Sequence, residues 1–543
     1  MKTETYTKGI VFESDTYYIG DQSEYHFYLN EATYCTDRDY VAASTAAGDS
    51  LLVALVLRNL KNVTLDFGGA RLVLHGRIAP FVFDHCENVT LKNCSIDYDR
   101  PFYTQADILE ADTKHLKLKI ADGFPYRVEG NYLVAVSETW ENYMNQKDLL
   151  LQPYDRETMA PAPVECILAL IGEEIFDYPN PPLPIRHLYA EEDGDTVILH
   201  GDFPSSYKVG HIIAITHEPR DKNSILVVSC KDVLVENVRI ICGASMGFVA
   251  LYTENITLRG FNMYMDEMSR GVVANNADAI HCYNCSGMFI IEDCILESML
   301  DDTINIHGNY TTVKQVEGKT ITALLSCHGL KMLRLYSPGD QINIYRGHTQ
   351  ELLDTFTVLE VSDDGKNDIT LKLDKPVVGI SENDLIENYS AMPEITMRRC
   401  RTGRLRGGMR LQSRRKTLIE DCCLNTVSEA LHLTGDSTYW FESGPVNDLT
   451  VRNCRFAAAQ SQRISIVPQV EFTEKAPYYH SNINIIDNIF ESPFVLYGHH
   501  ADNLVINNNK YEPAAGSQTD ESGLYVIIID CGKCDITEAE VRE

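Results

Sequence analysis

The chain is short of positive charge, with 47 Lys and Arg against 78 Asp and Glu and a formal net charge of −31. A surface that acidic repels phosphate backbones, and no basic patch interleaved with aromatics offsets it, so nucleic acid is excluded as a partner. The one basic island runs from Met397-Arg-Arg-Cys-Arg through Arg404, Arg406 and Arg410 to Arg414-Arg415-Lys416. It reads as the outward faces of two strands or as a holder of polar substrate groups. No apolar run approaches the length of a membrane span, so no membrane partner is expected. The first residues, Met1-Lys-Thr-Glu-Thr-Tyr-Thr-Lys-Gly-Ile, lack the charged and apolar regions of a signal peptide. The 16 cysteines do not form C-x-x-C pairs at zinc-finger spacing, although Cys531-Gly-Lys-Cys534 is a C-x-x-C near the end. A reducing cytoplasm is the expected compartment, although a mature exported form would read the same.

What the sequence does contain is a repeat. Asn or Asp is followed by alternating strand formers, a polar turn and a second short strand. Copies are Asn62-Val-Thr-Leu-Asp-Phe, Asn88-Val-Thr-Leu-Lys-Asn-Cys, Asp232-Val-Leu-Val-Glu-Asn-Val and Asn255-Ile-Thr-Leu-Arg-Gly-Phe. Others are Met288-Phe-Ile-Ile-Glu-Asp-Cys, Lys416-Thr-Leu-Ile-Glu-Asp-Cys, Asp448-Leu-Thr-Val-Arg-Asn-Cys, Asn482-Ile-Asn-Ile-Ile-Asp-Asn and Asn503-Leu-Val-Ile-Asn-Asn-Asn. The closest copies lie 21 to 34 residues apart, the length of one coil of a parallel β-helix, and their apolar spacing of two excludes a helical repeat. Stacking them about 4.8 Å apart puts Cys94, Val238, Phe261, Cys294, Cys422, Cys454, Asn488 and Asn509 in one column. Cys, Val and Phe in that column form a core ladder of small and large hydrophobes, continued by hydrogen-bonded Asn.

The pattern divides the chain into an N-terminal cap with first coils (1–97), an inserted β-rich segment (98–228), coils (229–309), a second insertion (310–395) and C-terminal coils with a cap (396–543). The first insertion holds the Pro-rich joints Pro161-Ala-Pro and Pro179-Asn-Pro-Pro-Leu-Pro, and both read as small barrel-like units. A polar stretch from Ala514 to Gly523 precedes a last strand at Leu524-Tyr-Val-Ile. Exposed coil ends need caps, supplied by the first 45 residues and the last strand or by a second copy of the chain in a homo-oligomer.

A second column carries the chemistry. Aligning Asp278-Ala-Ile-His, Asp302-Thr-Ile-Asn, Gly407-Gly-Met-Arg, Glu429-Ala-Leu-His and Gln462-Arg-Ile-Ser turns Ile280, Ile304, Met409, Leu431 and Ile464 inward. His281, Asn305, Arg410, His432 and Ser465 then form an outward polar stripe, headed by Asp278, Asp302 and Glu429, with Asp301 just before Asp302. Asp278 and Asp301 are 23 residues, one coil, apart. Crowded carboxylates raise the pKa of at least one of them, which suits glycoside hydrolysis by one protonated and one ionised acid. A lone Asp at a coil turn is usually a cap, but an Asp-Asp pair facing a third acid is costly as capping alone. His281, His307 and His432 around the acids suit sugar hydroxyls. No trio of His and carboxylate has zinc spacing, so no metal or other cofactor is expected, the alternative being a calcium site on the acids.

Asn276-Ala-Asp-Ala-Ile-His-Cys-Tyr-Asn-Cys-Ser-Gly followed by Met299-Leu-Asp-Asp-Thr-Ile-Asn-Ile-His-Gly resembles the central signature of glycoside hydrolase family 110. Gly435-Asp-Ser-Thr-Tyr-Trp-Phe-Glu-Ser-Gly-Pro-Val and Arg404-Leu-Arg-Gly-Gly-Met-Arg resemble two further signatures. The resemblance implies a right-handed parallel β-helix and an exo-acting α-galactosidase. Such an enzyme would release terminal α-1,3-linked galactose, from blood-group-B-like or linear structures, with inversion and without a metal. It also implies that Asp278, Asp301 and Asp302 form the acid/base trio, with Asp301 as acid and Asp278 or Asp302 holding water. Trp440 would face the apolar side of galactose and Glu442 would accept from its hydroxyls. His281, Asn305, His307, Arg410, Glu429, His432 and Asp436 complete the implied substrate contacts. The rival enzymes are a hydrolase of another α-glycoside and a polygalacturonase-like one. The latter would bring G-H-G and R-I-K motifs, but His307-Gly308 lacks the preceding Gly and no R-I-K follows. The non-enzymatic rival is a glycan-binding β-helix.

Overall fold

The computed structural model describes residues 1–37, 39–40, 50–144, 149–162, 167–169, 188–216, 222–325, 334–363, 368–404, 407–427, 429–438, 440–457, 464–469, 477–514 and 523–542. The Pro179–Pro184 joint, Pro163, Leu405, Arg406, Tyr439, Gln462, Arg463 and nearly all of the polar stretch before Gly523 lie outside these residues.

Two long parallel ladders run the length of the molecule and make it a right-handed parallel β-helix with two β-rich insertions. One ladder stacks Thr16–Gly20, Lys61–His75, Glu87–Tyr98, Lys231–Ile240, Glu254–Met263, Ser286–Glu292, Glu394–Arg398, Thr417–Glu420, Leu449–Arg452, His480–Ile486, Ala501–Asn507 and Cys534–Ile536. The other stacks Leu51–Arg58, Ala79–Asp84, Ile225–Val228, Phe248–Leu251, Ile280–Tyr283, Ile304–Glu317, Met409–Leu411, Leu431–Leu433, Ile464–Ile466, Phe494–His499, Leu524–Ile529 and Ala539–Arg542. Lys2–Tyr6 pairs with Thr16–Gly20 and starts the first ladder.

The recurring Asn and Asp have a backbone reason. Asn62, Asn88, Asp232, Asn255, Asn482 and Asn503 all have φ of 53–59°, as do Asn93, Asn237, Asp293, Asp421, Asn453, Asp487 and Asn508 with φ of 51–58°. Each coil thus turns through left-handed residues, where Asn and Asp are least penalised. Their side chains then bond along the axis, Asn88 to Asn62, Asn255 to Asp232, and Asn503 to Asn482.

The core column forms as aligned, with Val238 paired to both Cys94 and Phe261. It gains a member, Cys400, whose backbone N–H donates to Cys422 Sγ at 3.5 Å. Cys454 N–H donates to Asn488 Oδ1 and Asn488 N–H to Asn509 Oδ1. The cysteines in this column are buried and free of disulfides, so they act as core hydrophobes.

The first insertion contains a seven-stranded antiparallel sheet built from strands between Tyr103 and Thr216, with a three-stranded sheet over Tyr126–Tyr143. The second closes on itself as an antiparallel barrel. Ile304–Glu317 pairs in turn with Thr320–Leu324 and Leu385–Asn388, and Asp368–Leu373, Leu352–Asp363 and Gln341–Tyr345 complete the ring. One strand therefore belongs to both units: its first residues lie in the solenoid and its remainder in the barrel. Barrel residues such as Val313, Ile344 and Phe356 share a core with Val82, Leu226 and Val249 on the outer face of the second ladder.

Candidate active site

The second column pairs as its apolar spacing requires, Ile280 with Ile304, Ile304 with Met409, Met409 with Leu431 and Leu431 with Ile464. On the outward face, Val82, Leu226 and Val249 precede His281, Asn305 and Arg410, so one column changes from apolar to polar at the site. The expected open stripe is instead largely covered. Asn305 and Ser465 are buried, and His281, Arg410 and His432 are half-buried. The covering comes from Glu442–Ser443, which pairs antiparallel with Gly308 and Asn309 on the strand that leaves for the barrel. The same pairing brings Glu442 over the stripe.

The register bears out the strand alignment and makes this coil 24 residues rather than 23. Ile280 faces Ile304, so two residues earlier Asp278 stands level with Asp302, and Asp301 sits beside that pair. The next coil arrives as Gly407-Gly408. A Cβ on Gly407 would fall 2.8 Å from the Asp301 carbonyl, and one on Gly408 would collide with the carbonyl of Glu429. The two glycines are there because backbone passes directly under the acid pair.

Each carboxylate of the level pair faces a nitrogen. Asp278 Oδ2 accepts from His281 Nδ1 at 2.6 Å and Asp302 Oδ2 from Arg410 Nε at 2.9 Å. Burial pushes the Asp302 carboxyl up to about 7, helped by Asp301, Asp278 and Glu442 and opposed by Arg410. Burial works against a charge on His281, yet the hydrogen bond and charge of Asp278, with Glu442 and Asp302 behind it, hold its pKa above the ordinary histidine value. His307 is lowered by burial and by His281. Burial also opposes the charge on Glu442, but His307, Arg410 and His281 hold its carboxyl below the usual range. His432 is pushed down to about 3 by burial and by Arg410 and His480, so it is neutral.

Around this lies a network the sequence did not reveal. His281 Nε2 is 3.1 Å from His307 Nε2, and His307 Nε2 is 3.6 Å from Glu442 Oε1. Asn305 Nδ2 and Gln412 Nε2 each donate to Glu442 at 3.3 Å. Although no metal trio was visible in sequence spacing, His281, His307 and Glu442 bring their ligand atoms within 4.8 Å of one another. They come from three segments joined by the coil stack and the barrel strand, which local spacing cannot show. Gln412 was likewise missed, although it follows Arg410 by two residues on the same face.

Glu429 stands level with Gly407 at the edge of the cluster. Asp436 organises a loop, its Oδ1 accepting from Thr438 N–H and its Oδ2 from Trp440 N–H at 2.7 and 2.6 Å. Trp440 is half-buried on that loop.

Fold and site together define a β-helical protein with a cluster of carboxylates on the outer face of one ladder. No family model matches the chain. Over nearly its whole length, however, it is a homologue of α-1,3-galactosidases, in line with glycoside hydrolase family 110. It is 29% identical over 478 residues to α-1,3-galactosidase A of Shewanella woodyi, covering 86% of this chain and 75% of that one. It is 26% identical over 499 residues to α-1,3-galactosidase B of Bacteroides thetaiotaomicron, covering 88% and 78%. Among solved structures, the family 28 exopolygalacturonase of Yersinia enterocolitica aligns with 94% of the chain and 78% of its own at 10% identity and a TM-score of 0.35.

Proposed function

We propose that this chain is an exo-acting, inverting glycoside hydrolase that releases terminal α-1,3-linked galactose without a metal. The observation that carries the reading is the level pair Asp278 and Asp302 with Asp301 beside it, in a chain whose homologues are named α-1,3-galactosidases. Asp278 and Asp302, each oriented by a nitrogen, hold the attacking water, and Asp301 delivers the proton to the leaving oxygen. The raised Asp302 supports a cluster that keeps a proton near neutrality, as an acid/base pair needs.

Charge supports a neutral sugar over a uronate. Asp278, Asp301, Asp302 and Glu442 cluster at the site, and the guanidinium of Arg410 is engaged by Asp302. An anionic substrate would meet net negative charge there. Glu442, Asn305 and the two histidines offer a close set of acceptors and donors suited to the hydroxyls of a single ring, and Trp440 supplies an apolar face.

Linear Galα1-3Gal and the fucosylated B trisaccharide, incubated with and without a chelator, test this. Released galactose and its first-formed anomer are followed by NMR. Chelator-resistant release of β-galactose is expected. Release of the α-anomer overturns inversion, and no release from either sugar overturns the α-1,3-galactosidase reading.

A further inference from the structure

The gap between His281, His307 and Glu442 is chemically unusual. His307 Nδ1 donates to the carbonyl of Gly308 at 2.6 Å, which leaves Nε2 with its lone pair. His281 Nδ1 faces Asp278 Oδ2 at 2.6 Å, and its Nε2, which carries a proton in the charged ring, becomes a ligand when a metal ion takes that proton's place. These two nitrogens face each other at 3.1 Å, with a carboxylate oxygen 3.6 Å from the second. A positive centre, either the proton of a charged His281 ring or a metal ion, must lie between them. A ring whose far nitrogen is fixed by a carboxylate or a backbone carbonyl is the arrangement that orients a metal-ligating histidine.

We propose that His281 Nε2, His307 Nε2 and a Glu442 oxygen form a binding site for one divalent transition-metal ion of the zinc class. Two ligands around a tetrahedral zinc, each about 2.0–2.1 Å from it, stand roughly 3.3 Å apart. The 3.1 and 3.6 Å separations here bracket that distance. Two imidazoles select zinc, cobalt or nickel over calcium or magnesium, which take oxygen. The carboxylate is held for the task by Asn305 and Gln412, and His307 is 3% exposed. Three protein ligands leave a fourth position for water or another small ligand. The ion goes beyond the hydrolase reading and opposes it functionally. It occupies atoms assigned above to sugar hydroxyls, so where that reading holds, zinc inhibits and a chelator restores activity.

The full-length protein, stripped with chelator and dialysed, is loaded with zinc or cobalt alone, desalted and assayed for bound metal by mass spectrometry. Cobalt binding is read from its visible absorption. One equivalent is expected, with intense bands of a four- or five-coordinate cobalt. His307→Ala should abolish binding, and Glu442→Gln, which keeps the shape of the side chain, should weaken it at least 10-fold. Asp278→Asn should weaken it roughly 10–100-fold by releasing His281. The Cys531→Ser/Cys534→Ser double variant should keep its full equivalent. No retained metal in the wild type overturns the site and leaves a shared proton between the rings. Metal kept by Glu442→Gln at wild-type affinity, or lost from the cysteine variant, overturns it too. Because binding is read without turnover, failure of the hydrolase assay does not affect this result.

Discussion

Arg410 Nε lies 2.9 Å from Asp302 Oδ2, a contact between residues 108 apart in the chain and one coil apart in the stack. The whole second barrel is inserted between them. The solenoid register, rather than local sequence, therefore sets the charge balance of the site. Removing the guanidinium leaves Asp302 to burial and to its acidic neighbours, all of which raise its pKa. In Arg410→Met the acidic limb of kcat/KM should move to higher pH, by at least about one pH unit, which is a 10-fold loss on that limb. Arg410→Lys should recover part of it. An unmoved limb would show that Asp302 does not titrate in the rate.

Asp302 itself links stability to pH. An unfolded Asp releases its proton near pH 4, whereas burial holds this one to about 7 in the fold. The folded state therefore binds the extra proton between those values, and stability falls as pH rises through that window. The full penalty, on the order of 4 kcal/mol, is present above pH 7. Asp302→Asn removes the titration and should lose turnover. Its Tm should gain on the wild type progressively from pH 4 to pH 8. Parallel Tm curves would mean that the carboxyl titrates normally.

The apolar half of this arrangement and the polar stripe beside it were legible, and the contacts that cover the stripe were not. Ile280, Ile304, Met409, Leu431 and Ile464 announce their stacking because a spacing of two repeats at coil length on residues that must be buried. Cys400 belongs to the cysteine column but was overlooked, since it lies 106 residues past Cys294 behind the barrel and sits in a basic run that reads as surface. Glu442 reaches His307 only because a strand shared by solenoid and barrel pairs with Glu442–Ser443. Pairing across an insertion leaves no periodic trace. The same strand explains why a stripe expected to face solvent is roofed over. The level partner of Asp278 was legible, because the apolar alternation aligns Ile280 with Ile304 and so sets Asp278 beside Asp302.

The left-handed corners make a separate test of the coil. Asn482 has a φ of 54°, donates to the Asn447 carbonyl at 3.0 Å and accepts from Asn503 at 2.7 Å. Asn482→Ala should cost about 1–2 kcal/mol, since a Cβ without a compensating amide is strained there. Asn482→Gly keeps the backbone relaxed and should cost less, although it loses the side-chain bonds. Urea denaturation of the two variants measures the difference. Equal losses would assign the role of Asn482 to its hydrogen bonds instead of its backbone.

The barrel is fastened to the coils by a buried ion pair. Arg414 Nε lies 2.6 Å from Glu387 Oε2, and Tyr345 donates to the same oxygen at 3.0 Å. Glu387 is fully buried, and the Arg414 ring contact with Tyr345 is 4.9 Å to the centroid. Breaking such a pair from one side leaves an uncompensated charge in the interior, at a cost of roughly 3–5 kcal/mol. Arg414→Met should therefore destabilise the protein by about that much, whereas Arg414→Met with Glu387→Leu should recover most of the loss. Glu387 belongs to the barrel strand Leu385–Asn388, which pairs with the barrel half of the strand carrying His307. Loosening it should let the roof shift. The double variant is thus expected to refold with near wild-type Tm yet show a raised KM, because packing replaces the lost charge pair but not its geometry. A double variant with both Tm and KM unchanged would show that the pair does not set the position of Glu442.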